Sequence, residues 1–258
     1  MKHLTSILLT SMLWLVSGCS VKEERGVCPC RLFLNMSTVD FYARSPVSLY
    51  VTADEEFIHD EVISSVNSSQ IYELEVPRTE LNVIAWSGCE DYVSEHGLAI
   101  PLGYDCPPVY IHATEISATG EVVCDTVVLR KNHCVLRINF MKQEELCALT
   151  LRGAVSGFDW KGNPKPGDFN IRHELDTLST QPTQILLPRQ IGDPLYLDVL
   201  DVSGKVKTFP LHEYISLAGY DWTDPDLKDL SLTLNYTLTA VSLVILGWDE
   251  EFIFDVVI

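Results

Sequence analysis

Basic residues are scarce in this 258-residue chain: 18 Lys and Arg stand against 36 Asp and Glu, a formal net charge of −18. Binding nucleic acid depends on neutralising phosphates with Lys and Arg, so nucleic acid is excluded as a partner. An acidic surface also repels an anionic membrane, so attachment to lipid has to come from something other than the folded surface. Long apolar runs are missing too. The apolar stretch near the start, Ile7 to Val16, falls well short of the ~20 residues that a membrane-spanning helix needs. No segment carries a sustained helical stripe; the best short candidate is 54–64, where Phe57, Ile58 and Glu61 allow a turn or two of helix. Catalytic signatures are absent as well, with no Gly-x-Ser-x-Gly elbow, no Gly-rich phosphate loop and no His-Glu-x-x-His. His59, His96, His112, His133, His173 and His212 are scattered singly. The chain reads as a protein that is not an enzyme and uses no cofactor.

Metal-ligand spacing is lacking in the same way. Cys28-Pro29-Cys30 has neither the two-residue spacing nor the second pair of a zinc site. In Asp221-Trp222-Thr223-Asp224-Pro225-Asp226-Leu227-Lys228-Asp229 no register supplies alternate oxygen ligands, a turn glycine and a distal glutamate together, as a calcium loop requires. Asp224-Pro225 instead marks a turn into a strand that begins at Leu230. No metal site is expected.

What is present in abundance is period-two alternation, the signature of half-buried strands. Tyr72, Leu74 and Val76 interleave with Glu73 and Glu75, and Leu81, Val83 and Ala85 with Glu80, Asn82 and Ile84. Cys134, Leu136, Ile138 and Phe140 share one face; so do Cys147, Leu149 and Leu151, and Leu195, Leu197 and Val199. Leu232, Leu234, Tyr236 and Leu238 alternate with Ser231, Thr233, Asn235, Thr237 and Thr239. Asp201-Val202-Ser203-Gly204 supplies a turn between 195–200 and 205–209, with Gly204 free to take positive φ. Many short strands punctuated by Gly, Pro and Asp predict an all-β chain of antiparallel sandwiches. Its length suits two of them better than one. The polar step Arg130-Lys131-Asn132 divides residues 28–131 from 132–258.

Seven cysteines follow Cys19, an odd number that cannot all pair internally. If 134–140 and 147–152 form a hairpin, Cys147 falls opposite Phe140 and Cys134 lies at the far end. That is too distant for the ~5.5 Å Cα separation of a disulfide, so both read as buried thiols. The expected bridge is Cys89 with Cys106, or either of them with Cys28 or Cys30.

The first residues form a signal peptide, 1–18: Lys2 and His3, the apolar run, then Ser17 and Gly18. Val16-Ser17-Gly18-Cys19 resembles the lipobox of bacterial lipoproteins. That resemblance implies cleavage before Cys19 and a lipid anchor on its thiol. Several acyl chains, each contributing ~0.8 kcal/mol per buried methylene, hold a protein on a membrane where one chain is marginal. Residues 19–27 would be the lipidated tether. Removing residues 1–18, which hold one basic residue and no acidic one, leaves a net charge of −19. Lys22-Glu23-Glu24 resembles the acidic tether of surface-exposed lipoproteins in Bacteroidetes.

A lipobox, an acidic tether, a first strand Arg31-Leu32-Phe33-Leu34 just after Cys28-Pro29, and two sandwiches together resemble the FimB/Mfa2 fimbrial accessory proteins of Bacteroidales. The likeness extends to Tyr72–Pro77 leading into Leu81–Gly88, where that family has a strand ending in a Trp-x-Gly turn, and to Leu149–Asp159. It implies two tandem transthyretin-like β-sandwich domains, an outer-membrane, surface-exposed location through the Cys19 lipid, and fimbrial shaft subunits as partners. The implied role is to anchor a fimbria or control its length. Subunits of such pili join by strand exchange, in which backbone hydrogen bonds give affinity and alternate side chains give register. In shaft subunits an Arg-directed protease removes the first strand; Arg25, Arg31 and Arg44 could each be cut here, yet a basal anchor must keep that strand. The terminal strand 251–258, with Phe252, Phe254, Val256 and Ile258, is the candidate contact with the lowest shaft subunit. A tip adhesin of the same pilus, or a surface glycan-binding lipoprotein using Tyr220, Trp222, Trp160 or Trp248, are the alternatives.

Overall fold

The computed structural model describes residues 28–44, 46–54, 56–66, 70–94, 96–141, 146–176, 181–192, 194–235, 240–245 and 251–255. Alternating sequence in the first half becomes β1 (Cys30–Asn35), β2 (Val47–Ala53), β3 (Glu56–Ile63), β4 (Ile71–Val76), β5 (Glu80–Ser87), β6 (Val93–Ser94), β7 (Gly97–Ala99), β8 (Tyr110–Ser117), β9 (Val122–Thr126) and β10 (Arg130–Lys131). In the second half it becomes β11 (His133–Met141), β12 (Leu146–Phe158), β13 (Pro164–Glu174), β14 (Thr183–Pro188), β15 (Tyr196–Asp201), β16 (Val206–Phe209), β17 (Leu230–Asn235), β18 (Ala240–Ile245) and β19 (Glu251–Asp255). Two short α-helices, α1 (Phe41–Arg44) and α2 (Leu211–Leu217), and a 3-10 turn at Glu90–Tyr92 complete the described elements. The architecture is an all-β sandwich, and among the described residues no helix is long and apolar enough to cross a membrane.

The strands make four sheets, in the orders β4-β1-β9, β10-β8-β5-β2-β3, β14-β11-β17-β18-β19 and β16-β15-β12-β7-β6, with β13 also paired to β12. Leu32 and Leu34 of β1 face Val47, Leu49 and Val51 of β2 and Leu81, Val83 and Ala85 of β5 in one core, drawn wholly from residues 30–127. The larger core gathers Leu136, Leu149, Leu151, Leu197, Val199, Leu230 and Leu232 from the last two sheets. It also takes Tyr50, Ile84, Trp86 and Ile111 from the other face of the β2/β5 sheet. That sheet is covered on both sides, which is why every residue of β2 and nearly every residue of β5 is buried. Trp86 is fully buried and stacks on Trp160 with ring centroids 5.2 Å apart. Replacing a buried tryptophan with alanine costs about 3–5 kcal/mol, so the Trp86 side chain alone accounts for a large part of a typical folding free energy.

β1 falls where Arg31–Leu34 placed it, and the 201–204 turn joins β15 to β16 with Gly204 at φ +84°. Asp201 closes that turn by accepting from the Ser203 and Lys205 backbone N–H groups. Residues 56–63, in the segment read as a short helix, form strand β3 instead, because pairing with β2 supplies hydrogen bonds that an isolated two-turn helix cannot match. The hairpin between 134–140 and 147–152 does not form. β11 pairs with β14 and β17, whereas β12 pairs with β13, β15 and β7, so the two strands lie in different sheets. Cys147 sits at a register shift of β12 and is half-buried, while Cys134 is fully buried. All seven described cysteines are free thiols, against the expected bridge. Cys30 faces the smaller core and Cys89 and Cys106 the larger one, which separates the first of these from the other two. Of the strand begun at Leu230, residues up to Asn235 are described; Tyr236 and Leu238 lie outside the described residues.

One short crossing ties the two halves together. β7 leaves the N-terminal half and pairs with the end of β12, Ala99 opposite Gly157 and Leu98 opposite Phe158. The approach is close enough that a Cβ on Gly157 would stand 1.9 Å from the Leu98 carbonyl oxygen, at a φ of +155° that other residues rarely adopt. Gly157→Ala is therefore expected to destabilise the protein by more than ~2 kcal/mol, read as a lower urea midpoint. An unchanged midpoint would show that this crossing contributes little to stability.

Candidate functional site

The proposed contact strand lies at the border of a sheet. β19 runs antiparallel to β18, with Phe252 opposite Leu243 and Phe254 opposite Val241. It is the last strand in its order, so among the described residues nothing pairs with its outer edge. An edge strand presents a row of unpaired N–H and C=O groups, the template to which another extended segment can add. Phe252 packs on the larger core and Ile253 turns outward, 72% exposed. Val256 and Ile258 lie outside the described residues, as do Cys19, Lys22, Glu23 and Glu24.

An electrostatic clamp sets the register that leads to this edge. Asp229, immediately before β17, accepts from the Lys131 ammonium and from the Val135 N–H at 3.0 Å, and lies 3.6 Å from the Arg137 guanidinium. Burial opposes its ionisation, yet these donors outweigh it and hold the carboxyl below its usual range. Asp226 accepts from the Lys131 N–H and pairs with Arg130 at 2.9 Å. Arg189 donates to the Asn132 side chain at 2.8 Å and to the carbonyls of Trp222 and Pro225. The acidic run 221–229 is thus bound to residues 130–137, and β17 is held parallel to β11 with Leu230 opposite Leu136.

At the opposite end of the chain β1 completes its own sheet. It is hydrogen-bonded to β4 on one side and β9 on the other, with Leu32 and Leu34 fully buried. Arg31 lies inside this strand and is ion-paired with Glu73. The Arg44 carbonyl accepts from the Ser87 hydroxyl, and its guanidinium lies 3.5 Å from the Tyr110 ring centroid. Neither of these arginines is in an extended, unpaired segment; Arg25 lies outside the described residues.

The aromatics weighed for glycan contact part ways. Tyr220 is buried and Trp222 packs on the larger core, while Trp248 lies outside the described residues. Trp160 is half-buried and borders a cleft with Phe57, Thr52 and Asn82. Thr52 and Asn82 were invisible as site residues, since in sequence they are ordinary members of strands 30 positions apart; only their cross-strand pairing brings them together.

His133, beside the clamp, gives it a measurable pH signature. The ring is 3% exposed and donates from Nδ1 to the Val109 carbonyl at 3.1 Å. Burial, aided by Lys131 and Arg44 and opposed by that hydrogen bond and by Asp229, pushes its pKa from 6.5 down to about 4. The folded state therefore favours the neutral ring, and the unfolded chain binds the extra proton. This contribution is fully present above pH 6.5 and is lost as pH falls toward 4, a span worth roughly 3 kcal/mol. Urea midpoints measured across that window should fall, and His133→Asn should flatten the slope. An unchanged slope in the variant would assign the fall to other groups.

No protein-family model matches the chain, and no curated protein does. Solved structures do. The fimbrial anchor protein Mfa2 of Porphyromonas gingivalis matches at 12% identity over 86% of this chain and 98% of that one, with a TM-score of 0.60. A Bacteroides thetaiotaomicron protein for which polysaccharide binding has been suggested matches at 15% identity over 88% and 98%, with a TM-score of 0.64. A Bacteroides ovatus protein suggested to be an adhesin matches at 9% identity over 87% and 95%, with a TM-score of 0.58. Across nearly the full length of each, this chain has the fold of the Mfa2 type of fimbrial accessory protein and of these Bacteroides proteins.

Proposed function

We propose that this chain is a surface lipoprotein that anchors a fimbria to the outer membrane and limits its length, by strand addition between shaft subunits and β19. The observation that carries the reading is the position of β19, a sheet edge that no described strand pairs, with an outward Ile253 backed by a packed Phe252. The fold shared with a fimbrial anchor protein supports it. So does β1, which is paired on both sides within its own sheet. In this reading Cys19 carries the lipid, Lys22, Glu23 and Glu24 form the export tether, and residues 28–131 and 132–258 are the two sandwiches. A strand that ends in the membrane anchor cannot be released by proteolysis without losing attachment, which suits a base better than a shaft.

Deleting the gene and imaging the cells by electron microscopy tests this. Longer fimbriae shed into the medium are the expected result, with the wild-type gene restoring attachment. Ile253→Asp alters an exposed side chain, so folding should change by less than ~0.5 kcal/mol. This variant should nevertheless fail to restore attachment, because a charge on an edge strand discourages pairing. Unchanged, attached fimbriae in the deletion strain would refute the anchor role.

A further inference from the structure

At one end of the face that the β2/β5 sheet turns toward the second half lies one cross-strand row, with Thr52 buried and Phe57 and Glu115 exposed. Phe57 is opposite Thr52, Thr52 opposite Asn82, and Asn82 opposite Glu115. A tight turn at residues 159–163 roofs this row. The Asp159 carboxylate accepts from the Lys161 and Asn163 backbone N–H groups at 2.8 and 2.9 Å, and Gly162, at φ +76°, lets the turn descend onto the sheet. A Cβ there would meet the Ala113 methyl at 3.0 Å and Ile111 at 3.1 Å. Lys161 joins roof to floor through Glu115 at 3.0 Å.

Trp160 and Lys161 divide the space beneath into two adjoining parts. One, of about 400 Å³, is bordered by Thr52, Phe57, Asn82 and His96; the other, of about 190 Å³, lies toward Thr114 and Glu115. The larger part is within the usual size of a small-ligand site, and clefts between packed units are a common place for one. Its chemistry narrows the occupant. Lys161 and Glu115 neutralise each other, and Asp159 is engaged in its own turn, so nothing in the cleft favours a charged ligand. The Asn82 carboxamide and Thr52 hydroxyl on the floor make no side-chain hydrogen bond to another described residue. An apolar ligand would leave these polar groups unpaired, at a cost of about 1–3 kcal/mol each. Phe57, 49% exposed, and Trp160 offer apolar ring surface beside them. A neutral molecule with hydroxyls around its rim and apolar C–H faces satisfies both demands.

We propose that this cleft binds a short neutral oligosaccharide, with Asn82 and Thr52 hydrogen-bonding ring hydroxyls and Phe57 and Trp160 lying against the sugar faces. The site is separate from β19, so it stands whether or not the strand contact does.

Titration of the mature chain with chitotriose, mannotriose and maltotriose, followed by calorimetry and tryptophan fluorescence, tests it. At least one sugar should saturate with a Kd on the order of 1 mM, an affinity in keeping with a few hydrogen bonds and two ring contacts. Asn82→Ala and Phe57→Ala should each weaken that sugar at least tenfold while leaving the thermal midpoint within a few degrees. Trp222→Phe, which borders neither part of the cleft, should bind as wild type. Failure of all three sugars to saturate by ~10 mM, unaltered binding in both cleft variants, or equal binding of the neutral peptide Ser-Gly-Ser-Gly would overturn the proposal.

Discussion

Burial of the β2/β5 sheet on both faces is the constraint on which the rest of this structure depends. Leu49, Val83 and Ala85 pack toward β1, while Tyr50, Ile84 and Trp86 on the same strands pack toward the second half of the chain. Neither half can move away from the other without exposing that second face, which includes the fully buried Trp86. Its indole N–H has no hydrogen-bond partner among the described residues, so the stability at this point comes from packing and ring stacking on Trp160. The same packing determines where a cleft is left between the sheet and the 159–163 turn. The cleft row of Phe57, Thr52, Asn82 and Glu115 begins where the apolar interface stops.

A chain with twice as many acidic as basic residues has to place its few cations well. Lys131, Arg130, Arg137 and Arg189 converge on the segment 221–229, where Asp226 and Asp229 receive the first three and the carbonyls of Trp222 and Pro225 receive Arg189. Pairs this close to the surface contribute modestly one at a time. Their joint effect is positional: they connect the start of β11 to the start of β17, and so define the sheet whose far edge is β19. Electrostatics here specifies register, and hydrophobic burial supplies most of the free energy.

Much of the fold was legible in the alternation of residues, because a strand with one wet and one dry face must repeat every two positions. Leu136, Leu197 and Leu232 were recognisable as core residues on that ground, and all three are fully buried. Alternation is silent about which strands become partners. Cys134 through Phe140 and Cys147 through Leu151 look like two arms of a hairpin, since hairpins are the commonest link between neighbouring strands. Here the chain crosses to the facing sheet instead, a choice made by core packing. Residues 56–63 carry apolar side chains at Phe57, Ile58 and Val62, as an edge strand exposed on much of its surface can, and local sequence could not distinguish that from a helical turn.

By itself, then, the sequence determined an all-β chain, the faces of its strands and the absence of familiar catalytic motifs, since each follows from local spacing and residue type. Which strands pair, that β19 ends a sheet, that Asp229 lies beside Lys131, and that Asn82 joins Thr52 and Phe57 under Trp160 were decided by tertiary structure. Those are relations between residues tens of positions apart, and they arise only when two sheets compete to bury the same apolar surface.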